Sequence, residues 1–347
     1  MKIGIDISAL ITGHNVRGIG SYTRLLKKYL PVMDKKNTYV FFKIKPSENV
    51  DIIHYPVFDL FKPSLPLIKK AHTVVTVHDV IPLMFPDKFP PGLKGKLALV
   101  YQRLSLKSVC AVITVSKNSK KDIFKLLNFD EKKIYITTQP PGEDFKVIPD
   151  KNILEKTKKK FSLPGKFILY VGDVNWNKNL LGLCRAAKKT NTPLVIVGKQ
   201  VVSDDFDKTH IENQPLVEFR NNFAGDKNII CLGFISPEDL VCLYNLAAVY
   251  AQVSFYEGYG LPILEAFACG CPVVSSNTSS LPEVYGNAAI PVDPYDVLSI
   301  TSGLLKVLNM SKCQKEKLIQ EGYNQIKKLT IKRFIEETVE IYAKVFK

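Results

Sequence analysis

Residues 255–284 read FYEGYGLPILEAFACGCPVVSSNTSSLPEV, and the fold is decided by how this stretch is read. Glu257 and Glu265 stand eight positions apart, with Gly258-Tyr259-Gly260-Leu261-Pro262 between them. Upstream, Leu246 to Val253 is an apolar run with the character of a buried strand. Downstream, Ile263 to Cys269 carries a helical pattern with Gly270 as its stop. Pro262 suits the first turn of that helix. Pro272-Val273-Val274-Ser275 then predicts the next buried strand. The unit is strand, glycine loop, helix, strand. Its glycines let a ligand approach the backbone, and the free N–H groups at the helix start favour an anion.

The same alternation continues on both sides. Phe167 to Gly172 is a strand, Asp173 to Asn179 a loop, Leu180 to Lys189 a helix and Pro193 to Gly198 a strand. Ile229 to Ile235 is another strand, and a helix begins at Pro237 and runs through Tyr244. In the first half, Lys2 to Leu10 is a strand-like run. It is followed by a glycine loop from Asn15, carrying Gly18 and Gly20, that runs into an amphipathic helix. Tyr39–Phe42 and Asp51–His54 are short strands. Ala71 to Pro82 contains a β-branched buried strand with His78 and Asp79 at its carboxyl end, where open α/β sheets place ligands. Leu93–Leu106 and Lys117–Leu127 are helices, the second capped by Ser116, with strands at Ala111–Ser116 and Lys132–Thr137. Pro140-Pro141-Gly142 breaks the chain, Lys151–Lys160 is a charged helix, and the boundary is placed near Phe161–Gly165. Thr330 to Lys347 is an amphipathic helix with Phe334, Ile335, Val339, Tyr342 and Phe346 on one side. The expected class is α/β, with two doubly wound domains built on parallel sheets.

With 347 residues and 46% hydrophobic composition, the chain has material for two cores. A formal net charge of +15 favours anionic partners such as nucleotides or acidic lipid headgroups. No basic nucleic-acid-binding tail is present, so nucleic acid is not an expected partner. The seven cysteines form no CxxC pair and read as reduced, mostly buried thiols of a cytoplasmic protein. The N-terminus runs straight into a strand without the apolar region of a signal peptide. No apolar run reaches about 18 residues. Peripheral contact with the inner face of an acidic membrane fits the charge.

The stretch from Ser254 to Val284, together with Tyr170-Val171-Gly172 and Lys178, resembles the retaining nucleotide-sugar glycosyltransferases of family 4. Their signature is a glutamate, seven residues and a second glutamate, with glycines and prolines placed as here. The resemblance spans nearly the whole chain and implies the GT-B architecture, two Rossmann-like domains with an inter-domain cleft. It implies an N-terminal acceptor domain (1–160), a C-terminal donor domain (161–329) and a last helix (330–347) crossing back to the first domain. The implied reaction moves a sugar from a nucleotide diphosphate to a hydroxyl of a glycan or glycolipid, with retention. The loop from Gly172 to Asn179 is most like mannosyltransferase-type members, which favours GDP-mannose over a UDP-sugar.

Under that resemblance the catalytic candidates are Glu257 beside the donor sugar, His78 facing it, and Lys178 on the leaving phosphates. Donor contacts are expected at Gly18, Gly20, Asn177, Phe234, Gly258, Tyr259, Gly260, Leu261 and Glu265, with Glu265 accepting from the ribose hydroxyls. The family often adds an arginine after the strand-end glycine. Here Asp173 holds that position, which leaves Arg17 and Arg24 as candidates for a second cation. No Asp-x-Asp motif stands in a suitable loop, so no metal and no cofactor beyond the donor are expected. Alternatives on the same scaffold are a sugar-nucleotide epimerase and a non-catalytic nucleotide-sugar binding protein. An NAD-dependent dehydrogenase is opposed by the incomplete glycine fingerprint.

Overall fold

The computed structural model describes residues 1–13, 15 and 18–347. The chain divides into two compact units, Met1–Pro140 with Leu329–Lys347, and Pro141–Lys328.

The first unit is built on a six-stranded sheet of order β2-β1-β3-β4-β5-β6. Its strands are β1 (Lys2–Asp6), β2 (Thr38–Phe42), β3 (Ile52–Tyr55), β4 (His72–Thr76), β5 (Ala111–Thr114) and β6 (Ile134–Ile136). Every pairing is parallel. Such a sheet is buried on both faces, which is why its strands read as continuous apolar runs. Ile3, Ile5, Ile52, Val74, Ala111 and Ile113 pack with Tyr22 and Leu26 of the helix Gly18–Met33 and with Phe334 and Tyr342 of the last helix, Ile331–Phe346. Ile53, Tyr55, Val75, Val77 and Val112 form the core on the opposite face. Phe346, assigned to the apolar stripe of the last helix, is half-exposed on the final turn, where its ring meets His72 at the start of β4 edge-on at 6.1 Å.

The second unit carries β7 (Ile168–Val171), β8 (Leu194–Val197), β9 (Ile229–Gly233), β10 (Val249–Gln252), β11 (Val273–Ser276) and β12 (Ala289–Val292). Their order is β12-β11-β10-β7-β8-β9, again with every pairing parallel. Counted within the unit, this is the strand order of a dinucleotide-binding fold, and its order reverses between β7 and β10. In open α/β sheets a ligand site lies at the carboxyl ends of the two strands where the order reverses. Both loops singled out in the sequence, after Gly172 and after Gln252, emerge there.

The division falls at Pro140/Pro141, about twenty residues before the expected boundary near 161. The helix Lys151–Lys160 belongs to the second unit, because its surroundings are there. Lys160 Nζ reaches Asp239 Oδ2 at 2.6 Å. Asn245 Oδ1 accepts from the Ile148 backbone N–H, and its amide donates to the Lys146 carbonyl. The Pro-Pro-Gly break, not the later Pro-Gly, is the crossing point. Residues 329–347 group with the first unit.

Candidate active site

The helix after the glycine loop spans Leu261–Ala268, with Pro262 in its first turn. Gly270 follows the helix with φ +69°, the left-handed stop that an L-residue adopts at a cost. Gly260 precedes it at φ +125°, and a Cβ there would come 2.8 Å from Leu281 Cδ2. Glycine is therefore the residue that fits this turn into the helix.

Glu257 is buried in this turn, with 8% of its side chain exposed. Lys178 Nζ donates to both its carboxylate oxygens at 2.8 Å. Gln252 Nε2 and Ser254 Oγ also donate to Oε1, at 3.1 and 2.7 Å. The carboxylate is thus held by three side chains in a fixed orientation. An ammonium carries three donors, and Lys178 remains 29% exposed. The structure brings together a cation from the loop after β7 and an anion from the loop after β10 where the strand order reverses.

Sequence reading missed the residues that fix these two loops. Asn177 is buried; its amide donates to the Tyr256 carbonyl, and its own carbonyl accepts from the Phe255 N–H. Asn177, expected as a donor contact, positions the loop that carries Glu257. Asn179, left-handed at φ 52°, donates to the carbonyls of Val253 and Pro294. Hydroxyls from the segment after β11 complete the clamp. Ser276 donates to the Ser254 carbonyl, Thr278 to Phe255, and Ser280 is shared between the carbonyls of Glu257 and Tyr259. Ser279 Oγ accepts from the Glu257 N–H. The signal was in view as Ser275-Ser276-Asn277-Thr278-Ser279-Ser280. So dense a run of hydroxyls after a buried strand is suited to satisfying the carbonyls of an irregular loop.

Glu265 lies inside the helix and accepts from Tyr244 Oη at 3.0 Å. Burial pushes its carboxyl up to about 7 from an ordinary 4.5, against the opposing pull of that hydrogen bond. Phe234, the first residue past β9, stands 62% exposed on the same carboxyl edge of the sheet. Gly258 is buried, Tyr259 and Leu261 partly so.

His78, Gly18 and Gly20 belong to the first unit. Gly18 and Gly20 are not loop residues: the helix already begins at Gly18, whose Cβ position is open space. His78 follows β4, and its Nε2 donates to the Pro56 carbonyl at 3.1 Å. Since a carbonyl only accepts, that nitrogen carries the proton. The ring meets Tyr22 edge-on at 5.0 Å. Beneath it Tyr22 Oη shares a hydrogen bond with Thr76 Oγ1, and fully buried His54 links Thr76 Oγ1 to Tyr342 Oη, both at 2.7 Å. Burial holds His54 down to about 3, so it is neutral at physiological pH. Arg17 lies outside the described residues. Arg24 donates to the carbonyl and side chain of Asn15 at 2.7 Å and so ties down the segment before its own helix.

Residues 152–325 match the family glycosyl transferases group 1. Over 277 residues the chain is 31% identical to the O-antigen chain mannosyltransferase B of Escherichia coli, covering 78% of this chain and 69% of that protein. The chain belongs to the glycosyl transferases group 1 family. This glycosyltransferase is also 26% identical over 238 residues to the serotype-specific mannosyltransferase WbdA of Escherichia coli, where it spans 29% of the longer protein. Its fold is that of HepE of Anabaena, solved in complex with UDP and glucose, with a TM-score of 0.73, 14% identity and 99% of each chain covered. The two six-stranded parallel sheets are those expected of a GT-B glycosyltransferase. Among the described residues of this glycosyltransferase, no helix is long and apolar enough to cross a membrane.

Proposed function

We propose that this glycosyltransferase moves mannose from a nucleoside diphosphate to a hydroxyl of a glycan or glycolipid, with retention of the anomeric configuration. The reading is carried by the Lys178–Glu257 pair where β7 and β10 part. The bond from the anomeric carbon to the phosphate oxygen breaks, and the leaving diphosphate gains negative charge. Lys178 and the N–H groups that open the helix at Leu261 answer that charge. Positive charge grows on the anomeric carbon, and Glu257, clamped in place, stabilises it. The acceptor oxygen bonds to the same face of that carbon, and its proton passes to the departing phosphate oxygen. Glu265 takes the ribose hydroxyls. No divalent metal is needed, since a lysine and a helix N-terminus supply the positive charge. Mannose is favoured by the mannosyltransferases among the relatives.

The test is incubation with GDP- and UDP-sugars in a chelator, reading nucleoside diphosphate release and the anomeric configuration of the product by NMR. Retained mannoside formed from GDP-mannose is expected. Inverted product, or turnover that needs added magnesium or manganese, contradicts the proposal.

The Glu265 role adds a pH dependence. Its carboxyl stands near 7 in the fold and near 4.5 when unfolded, so this group costs stability increasingly as pH rises between those values. Ribose hydroxyls donate to the ionised form. Donor affinity should therefore rise with pH through about 7 and level off above it, with protons released on binding. Calorimetry in buffers of different ionisation enthalpy reads this, and Glu265→Gln should flatten the profile. Proton uptake, or a wild-type profile already flat, removes Glu265 from the nucleoside site.

A further inference from the structure

The helix Gly92–Leu106 of the first unit has two apolar faces. Gly95, Ala98, Gln102, Ser105 and Leu106 form the buried one. On the other, Leu93, Leu97, Val100 and Leu104 are exposed by 77%, 66%, 57% and 51%. At 3.6 residues per turn these four fall within an arc of about 60°, centred opposite the buried face. Their spacing of four, three and four residues is that of a docking seam, yet among the described residues of the unit nothing covers it. Leaving four large aliphatic side chains in one line toward water is unfavourable, and a surface position does not require it.

The charges around the stripe select its partner. Lys94 flanks it on one side and Lys96, Arg103 and Lys107 on the other, all exposed. The helix contains no acidic residue. Beside it, the loop held by Ser105 Oγ donating to the Pro66 carbonyl at 2.7 Å presents Ile68, exposed by 83%. A second copy of this chain is disfavoured: two such helices packed stripe to stripe would oppose cations to cations along both rims, with no carboxylate between them. A narrow apolar ridge between cationic rims suits a bilayer whose acyl boundary takes the leucines and whose acidic headgroups take the lysines.

We propose that the exposed face of Gly92–Leu106 is a membrane-docking surface for acidic phospholipid. It seats Leu93, Leu97, Val100 and Leu104 at the headgroup–acyl boundary, with Lys94, Lys96, Arg103 and Lys107 among the phosphates. Docking does not depend on the transfer chemistry, so it can be read without donor or acceptor.

The experiment is co-sedimentation of the whole chain with vesicles of phosphatidylcholine alone or with phosphatidylglycerol, over a salt series. Binding should require phosphatidylglycerol and weaken as salt rises. The double variant Leu97→Ser, Leu104→Ser should bind more than about tenfold more weakly, as two aliphatic side chains no longer leave water. Both positions face solvent, so an unchanged melting temperature confirms the fold. Two results overturn the proposal. If the double variant binds like wild type, net charge alone drives binding. If wild type sediments without vesicles as a dimer that the double variant abolishes, the face joins two copies.

Discussion

Glu257→Gln should lower turnover by about two to three orders of magnitude while donor affinity changes little. The carboxylate is buried and already oriented by Lys178, Gln252 and Ser254, so it has no reorganisation to make when charge develops on the sugar. Glutamine fills the same volume and can keep the Ser254 contact, but it removes the charge that opposes the growing oxocarbenium. Loss of an interaction made chiefly in the transition state appears in kcat and kcat/KM equally. The fold should survive. Removing one partner of a fully buried pair costs about 3–5 kcal/mol, but Lys178 is 29% exposed and its ammonium can turn to water. Steady-state kinetics, donor calorimetry and a melting curve separate these effects. Full turnover with weakened donor binding would make Glu257 a binding residue only.

Gly198→Ala should destabilise the second unit by about 3 kcal/mol, the upper part of the range for overpacking. The carboxyl ends of β7 and β8 approach so closely that a Cβ on Gly198 would meet the Gly172 carbonyl oxygen, a backbone atom that cannot rotate away. The two strands are tied there by the Gly172 N–H donating to the Val197 carbonyl, and the Gly198 N–H in turn donates to the Gly233 carbonyl at the end of β9. Displacing Gly172 moves the start of the loop that carries Lys178, so donor binding should weaken along with stability. Gly165→Ala, at a position with open space around it, is the control and should be nearly neutral. Chemical denaturation of both variants decides it. A Gly198→Ala midpoint equal to wild type would mean that the strand ends can part without cost.

The alternation of elements was legible because parallel strands buried on both faces leave unbroken β-branched runs, as at Val74–Val77 and Val273–Val274. Helices with clear caps were equally plain: Lys117–Leu127 opens with Ser116 Oγ accepting from the Ser119 N–H, as the sequence predicts. The helix Val297–Leu308 is not evident in the sequence. Its Ser, Thr, Gly and β-branched content is poor in helix formers, and packing overrides propensity there. Gly303 sits where a Cβ would strike Val292, so the helix lies close on the sheet only because that residue is small. Gln214–Phe223 and Lys312–Ile326 are equally hard to see in the sequence, being largely polar on their outer faces. Leu246, by its apolar character the first residue of the strand, ends the helix Pro237–Leu246. Apolar character alone does not mark where a helix stops and a buried strand starts.

At the site, the sequence identified the groups that carry charge but not those that hold them. Glu257 and Lys178 are 79 positions apart, and their pairing follows from the order of β7 and β10, which only the folded sheet supplies. Asn177 and Asn179 flank Lys178 in sequence, yet their work is to anchor the Glu257 loop through backbone carbonyls. That role leaves no pattern beyond two asparagines in a loop.

The most direct measurement is calorimetric titration of GDP and UDP into wild type and Lys178→Ala, in the presence of a chelator. A charged hydrogen bond is worth about 1.5–3 kcal/mol. Wild type should bind one of the two without metal, and the variant should bind it at least about tenfold more weakly. Equal affinity in the two proteins, or wild-type binding that appears only with added magnesium or manganese, would contradict a diphosphate site built on Lys178.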